Sequence, residues 1–127
     1  ITRAGYPGIT AYLTANRDTL GIPGARVTHA WAPQRADAEA IARAAHVPNV
    51  VSRPEDLIGT VDAVLLLQDD PAHQVALARP FLAADVPLFI DKPLASTAAD
   101  LHFFAEQAAA GKFLMSCSSM RYAGECR

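Results

Sequence analysis

Leu88-Phe89-Ile90-Asp91-Lys92-Pro93-Leu94 sets three apolar residues directly before an acid, a lysine and a proline. An apolar run this short, bounded by turn residues, reads as a buried strand, because a helix needs a longer pattern. Pro93 biases Lys92 toward extended backbone and so constrains the direction in which the chain leaves the strand. Helical patterns flank the segment. Upstream, residues 72–84 place Val75, Ala78 and Leu82 on one stripe, with Leu77 and Phe81 beside it. Downstream, Ser96 or Thr97 can cap a helix running to Ala110, in which Leu101, Phe104, Ala105 and Ala108 recur at helical spacing and Gly111 is the stop.

The same alternation extends outward. Residues 63–67 form a continuous apolar run that suits a parallel strand covered on both faces, and residues 113–116 read as a last strand. Residues 26–31 predict a strand, followed by a helix over 36–45 with Ile41 and alanines on one face, and Val50-Val51 predict a brief strand. Ser52-Arg53-Pro54-Glu55 resembles a capping box that opens a short helix ending at Gly59. A first helix is expected over residues 9–16. Strand–helix repetition with short connections predicts an α/β fold, an open, doubly wound parallel sheet with right-handed crossovers. Too little chain precedes the first helix for a full leading strand, so residues 1–127 are expected to form part of a domain whose first strand is largely missing.

Composition narrows the function. Of 127 residues, 51% are hydrophobic and 19% charged, which is globular rather than disordered. Eleven basic and thirteen acidic side chains leave a net charge of −2, without the positive field that holds a nucleic-acid backbone. No apolar run approaches the roughly 18 residues of a membrane helix, so neither nucleic acid nor membrane is an expected partner and a cytoplasmic location is expected. Cys117 and Cys126 have no metal-ligand spacing, and no metal is expected.

Open parallel sheets bind ligands beyond the carboxyl ends of their strands. The residues so placed are those from Gly5 to Gly8, Ala32 to Arg35, Gln68 to Pro71, Asp91 to Pro93 and Cys117 to Tyr122. Each has a plain reading beside a functional one. Gly5 and Gly8 make either an ordinary turn or a phosphate approach. Asp69 and Asp70 make either helix N-terminal acids or ligand contacts. His73 is either a polar cap or a ligand contact, and Arg121 either a surface ion pair or a ligand contact. Asp91 has a hydrogen bond to Lys92, a contact to a ligand or a turn cap open to it. Lys92 is either a solvated lysine or a group that orients a substrate.

The segment Asp91-Lys92-Pro93 resembles the Glu-Lys-Pro of the glucose-fructose oxidoreductase / inositol dehydrogenase / MocA family of nicotinamide-dependent dehydrogenases, with Asp91 for Glu. Residues 61–67 resemble that family's strand leading to the nicotinamide-side loop, His73 stands at its loop histidine, and Arg121-Tyr122 resembles its Arg-aromatic pair. The resemblance covers roughly residues 25–125. A response-regulator receiver also ends a strand on Lys-Pro, but here Asp69-Asp70 lies a single helix before Lys92 and a further strand follows, which excludes that pattern.

Three positions depart from the family. Gly5 and Gly8 match the last two glycines of the dinucleotide fingerprint while Arg3 replaces the first. Ala32 replaces the acid after the second strand, and Gln68-Asp69-Asp70 replaces Thr-Pro-Asn. The resemblance implies a Rossmann-type domain that binds NAD or NADP through Gly5, Gly8, Ala32, Arg35, Gln68, Asp69, His73, Asp91, Lys92, Pro93 and Arg121. It implies hydride exchange with a hydroxyl-bearing carbon of a sugar or polyol, with Lys92 as the catalytic residue anchoring the reacting oxygen. Remaining acid–base residues, and any homo-oligomer contact, would come from a second, C-terminal domain, so this chain alone is expected to lack a complete active site and to be inactive. Two other readings stay open on the same fold: a non-catalytic nucleotide-binding sensor and a protein-interaction module.

Overall fold

Helix formers and short apolar runs alternate along the chain, and the computed structural model, which describes residues 7–19 and 21–124, folds them into parallel α/β structure. The chain divides into two units, Ile1–Leu57 and Ile58–Arg127.

The first unit holds α1 (Pro7–Ala15), β1 (His29–Ala30), α2 (Arg35–Ala44) and β2 (Asn49–Val50). β1 and β2 pair in parallel, His29 opposite Asn49 and Ala30 opposite Val50. Two bonds lengthen this short ladder: Val51 N–H donates to the Ala30 carbonyl at 3.1 Å, and Asn49 Nδ2 donates to the Thr28 carbonyl at 2.9 Å. α2 buries Ala38 and Ala42, while Asp37 in its first turn and Arg43 in its last complement the helix dipole. Ile41, expected on the packed face, is 40% exposed; the small alanine methyls form that face instead. After α2 the φ of His46 is +56° and Val47 N–H donates back to the Ala42 carbonyl at 2.9 Å, which satisfies a helix-end carbonyl in a Schellman turn.

In the second unit β3 (Val64–Leu66), β4 (Leu88–Ile90) and β5 (Leu114–Ser116) form a parallel sheet in that order. α3 (Gln74–Ala83) and α4 (Ala98–Ala109) make the two crossovers. The register sets Val64, Leu88 and Leu114 in one row, then Leu65, Phe89 and Met115, then Leu66, Ile90 and Ser116. Val64, Leu66, Leu88 and Ile90 are buried with Ala78, Phe81, Leu82 and Phe104. Arg79 lies over the Phe103 ring, 4.5 Å from its centre, and Phe103 meets Phe104 edge-on, so α3 and α4 are joined above the core. Both helices close with Schellman turns, at Asp85 and at Gly111, and Lys112 beyond the second pairs with Asp85. Thr97 is the cap of α4: its Oγ1 accepts the Asp100 N–H at 3.1 Å and donates to the Asp100 carboxylate at 2.7 Å, a contact of the kind that contributes about 1 kcal/mol.

Some expectations are corrected. The 63–67 run is not covered on both faces, since Leu65 is 57% and Leu67 63% exposed. Both crossovers step the same way along the sheet, so the right-handed rule puts α3 and α4 on the same face. α4 buries Phe104, with Phe103 and Gln107 half-buried beside it; Leu101, Ala105 and Ala108 are exposed. Residues Pro54–Leu57 form a 3-10 turn in which Asp56, not a Ser52–Glu55 box, accepts the Arg53 N–H at 3.0 Å. The Arg53 guanidinium also donates to Asp56, and these bonds hold the carboxyl below its ordinary pKa. The expected remnant of a leading strand, in residues 1–4, lies outside the described residues. No helix of the described chain is long and apolar enough to cross a membrane.

Candidate functional site

Parallel pairing brings the carboxyl ends of β3, β4 and β5 to one edge of the second sheet. After β3, Gln68 is half-buried and Asp69 exposed. Asp70 caps the short turn Pro71–His73 through Oδ1, which accepts the Ala72 N–H at 2.9 Å, and its Oδ2 lies 3.7 Å from His73 Nε2. Asp70 thus has a structural task in the turn that opens α3, and His73 beside it is exposed.

Asp91 continues β4 by one bond, its N–H donating to the Leu66 carbonyl at 2.9 Å. Lys92 and Pro93 follow, both exposed, with a cis peptide bond between them. The chain has two lysines, and the structure treats them differently. Lys112 Nζ sits 2.5 Å from Asp85, whereas among the described residues no carboxylate pairs with Lys92. An ammonium left uncompensated at a strand end is available to a ligand oxygen. After β5, Ser118 caps the turn Ser119–Tyr122 by accepting the Met120 N–H at 3.2 Å; Arg121 and Tyr122 are exposed, and Cys117 is a half-buried free thiol.

Gln74 was not among the residues singled out from the sequence. It is fully buried, its Nε2 donates to the Asp91 carbonyl at 3.3 Å, and its Oε1 has no partner among the described residues. An unpaired buried polar atom costs about 1–3 kcal/mol. Nothing in the hydrophobic spacing marks it, because a polar residue at a helix start ordinarily reads as a cap.

In the first unit, Gly8 lies in the first turn of α1, exposed, and a Cβ there would meet no atom of the described residues within 4 Å. That turn holds no acidic residue to offset the partial positive charge of the helix start. A helix start is suited to an anionic group. Gly5, the other fingerprint glycine, lies outside the described residues. Ala32 is half-buried just beyond β1. Arg35, expected in the loop before α2, is instead its first residue, because Gln34 takes the extended N-cap position. Its Nε donates to Glu39 at 2.9 Å one turn on, and Nη1 to Ser52 Oγ at 3.4 Å. Among the described residues no group of three or more His, Cys, Asp or Glu side chains could hold a metal ion.

Comparison with known proteins adds the following. The model of a family described as an oxidoreductase family with an NAD-binding Rossmann fold (GFO_IDH_MocA) matches residues 2–116. Over 107 residues the chain is 38% identical to inositol 2-dehydrogenase 1 of Saccharopolyspora erythraea, an alignment covering 81% of this chain and 32% of that protein. The chain therefore spans about a third of the length of this curated relative. Among solved structures, myo-inositol dehydrogenase from Lactobacillus casei, in complex with NAD(H) and myo-inositol, superposes with a TM-score of 0.68 at 22% identity, covering 89% of this chain and 36% of that one. A probable dehydrogenase from Thermotoga maritima gives a TM-score of 0.64 at 20% identity, over 80% and 30% of the respective chains. At these identities the structural likeness establishes the Rossmann fold.

Proposed function

Because the chain belongs to the GFO/IDH/MocA oxidoreductase family with its NAD-binding Rossmann fold, we propose that it is the nicotinamide-binding part of a dehydrogenase acting on a polyol or sugar. The substrate class is drawn from the inositol dehydrogenases it resembles. The observation that carries the reading is Lys92, exposed and without a carboxylate partner among the described residues, in the segment after β4 that resembles the family's Glu-Lys-Pro.

The proposed roles follow from chemistry. The start of α1 at Gly8, together with Gly5, takes the dinucleotide's phosphates. Asp91 and Pro93 set the turn from which Lys92 projects, and the Lys92 ammonium donates to the reacting oxygen of the substrate. Gln68, Asp69, His73 and Arg121 are proposed as cofactor contacts in the second unit, and Ala32 and Arg35 as contacts to its ribose in the first. The nicotinamide, when bound, supplies the acceptor or donor of hydride. Lys92 holds the substrate oxygen in place and stabilises the negative charge that builds on it. Incubating the full-length protein with a panel of polyols and either nucleotide, and following reduced nicotinamide, tests the reading; no reduction with any of them contradicts it.

Cofactor choice turns on Ala32 and Arg35. An acid beyond β1 would bind both ribose hydroxyls and repel a 2′-phosphate. Ala32 does neither. Arg35 is engaged by Glu39, but that pair is solvent-exposed and such pairs contribute only about 0–1 kcal/mol. A charge-assisted bond to a 2′-phosphate contributes about 1.5–3 kcal/mol, so Arg35 can exchange partners. The expected result is NADP binding at least as tight as NAD in calorimetric titration of the full-length protein. NAD binding about tenfold tighter, or more, would contradict it.

A further inference from the structure

Gln74 is fully buried, and no other polar or charged side chain among the described residues reaches that class. Glutamine is seldom so buried unless its amide is paired on both sides, and here the pairing is half complete. Nε2 donates to the Asp91 carbonyl at 3.3 Å, while Oε1 has no partner among the described residues. The other face of the same residue is held too, since Asp91 N–H donates to the Leu66 carbonyl. β3 closes at Leu66, so the parallel ladder offers Asp91 no further strand pair there, and the Gln74 amide supplies a donor where the ladder has run out. Asp91 is thereby tied through its N–H to β3 and through its carbonyl to α3. The next residue is Lys92.

Packing alone does not call for glutamine at this place. Methionine or leucine would fill a similar volume without an orphaned oxygen. The amide is useful only for what it holds. We propose that Gln74 is a positioning residue: by fixing the Asp91 main chain it fixes the direction in which Lys92 leaves β4. The role rests on the reading of Lys92 given above. A misplacement of about 1 Å in a reacting group can lower a rate by up to about a hundredfold, so one buried bond at the root of the lysine has leverage on turnover.

The test compares Gln74→Met and Gln74→Leu with the parent, each as full-length protein. The expected result is a melting temperature at or above that of the parent, with kcat lowered about tenfold and KM for nucleotide and polyol nearly unchanged. Hydrogen–deuterium exchange should accelerate in the peptide spanning residues 88–92 and stay the same around β5. Unchanged kcat and unchanged exchange in a folded variant would overturn the proposal. So would loss of folding in both variants, or loosening of the whole sheet with kcat and KM failing together, either of which would make Gln74 a structural residue. A parent that turns over no polyol contradicts the dehydrogenase reading instead, and the exchange comparison then still decides whether Gln74 holds Asp91.

Discussion

Replacing Lys92 by alanine in the full-length protein is expected to cut turnover by about 2–4 kcal/mol of barrier, roughly thirty- to several-hundredfold, and to leave nucleotide affinity nearly unchanged. The split follows from where charge develops. A hydroxyl oxygen carries little charge in the bound substrate and gains alkoxide character as a base takes its proton on the way to hydride transfer. In the reverse direction the same charge builds as the carbonyl carbon accepts hydride. An ammonium aimed at that oxygen therefore acts mainly on the transition state, and its loss appears in kcat. Lys92 is suited to this because it is exposed and no carboxylate among the described residues already neutralises it. Lys112 is the internal control. It is paired with Asp85, and Lys112→Ala should leave kcat within about twofold of the parent. Steady-state rates beside nucleotide titrations measure both. Equal rates for Lys92→Ala and parent would return Lys92 to a solvated surface residue.

Phe81→Ala is expected to destabilise the second unit by about 3–5 kcal/mol. Phe81 is 1% exposed and lies in the core with Ala78, Leu82, Leu88 and Ile90. Its main chain also closes α3, since its carbonyl accepts the Val86 N–H at 2.9 Å, so the neighbourhood cannot collapse freely into the cavity. Against the 5–15 kcal/mol of a typical domain this is a large share, and denaturant or thermal unfolding should record it directly. Leu65→Ala removes a comparable side chain from a site that is 57% exposed and should cost less than about 1 kcal/mol. A Phe81 variant as stable as the Leu65 variant would contradict the placement of the core.

These two residues also mark what the sequence makes legible. Phe81, Leu88, Ile90 and Phe104 are local signals: apolar residues in short runs or at helical spacing, bounded by Pro, Gly and Asp, and the structure buries them all. Thr97 as a cap and Gly111 as a stop are equally local, because each depends on the few residues next to it. Leu65 and Leu67 were misread because burial of a strand's second face depends on which way the crossovers run, and an apolar run carries no record of that. Arg35 was misplaced by a single residue at a helix start, which was enough to turn a loop arginine into the partner of Glu39.

The candidate site divides in the same way. Asp91-Lys92-Pro93 is contiguous and stands out by its chemistry against the strand before it. Gln74 is seventeen positions from Asp91 and becomes meaningful only when α3 folds back over the end of β4. Asp70 could be read as an N-terminal acid from the proline after it, and its bond to the Ala72 N–H is the short-range contact that such a pattern describes.

The central claim is that the protein of which this chain forms the nucleotide-binding part moves hydride between a hydroxyl-bearing carbon and a nicotinamide. Its most direct test supplies the full-length protein with NAD or NADP and a polyol deuterated at the carbon that bears the hydroxyl, followed by mass spectrometry of the reduced nucleotide. The account predicts that the label leaves that carbon and arrives on the nicotinamide ring, and that Lys92→Ala slows its arrival. Reduced nucleotide without the label, or no reduction with any polyol of the panel, would contradict it.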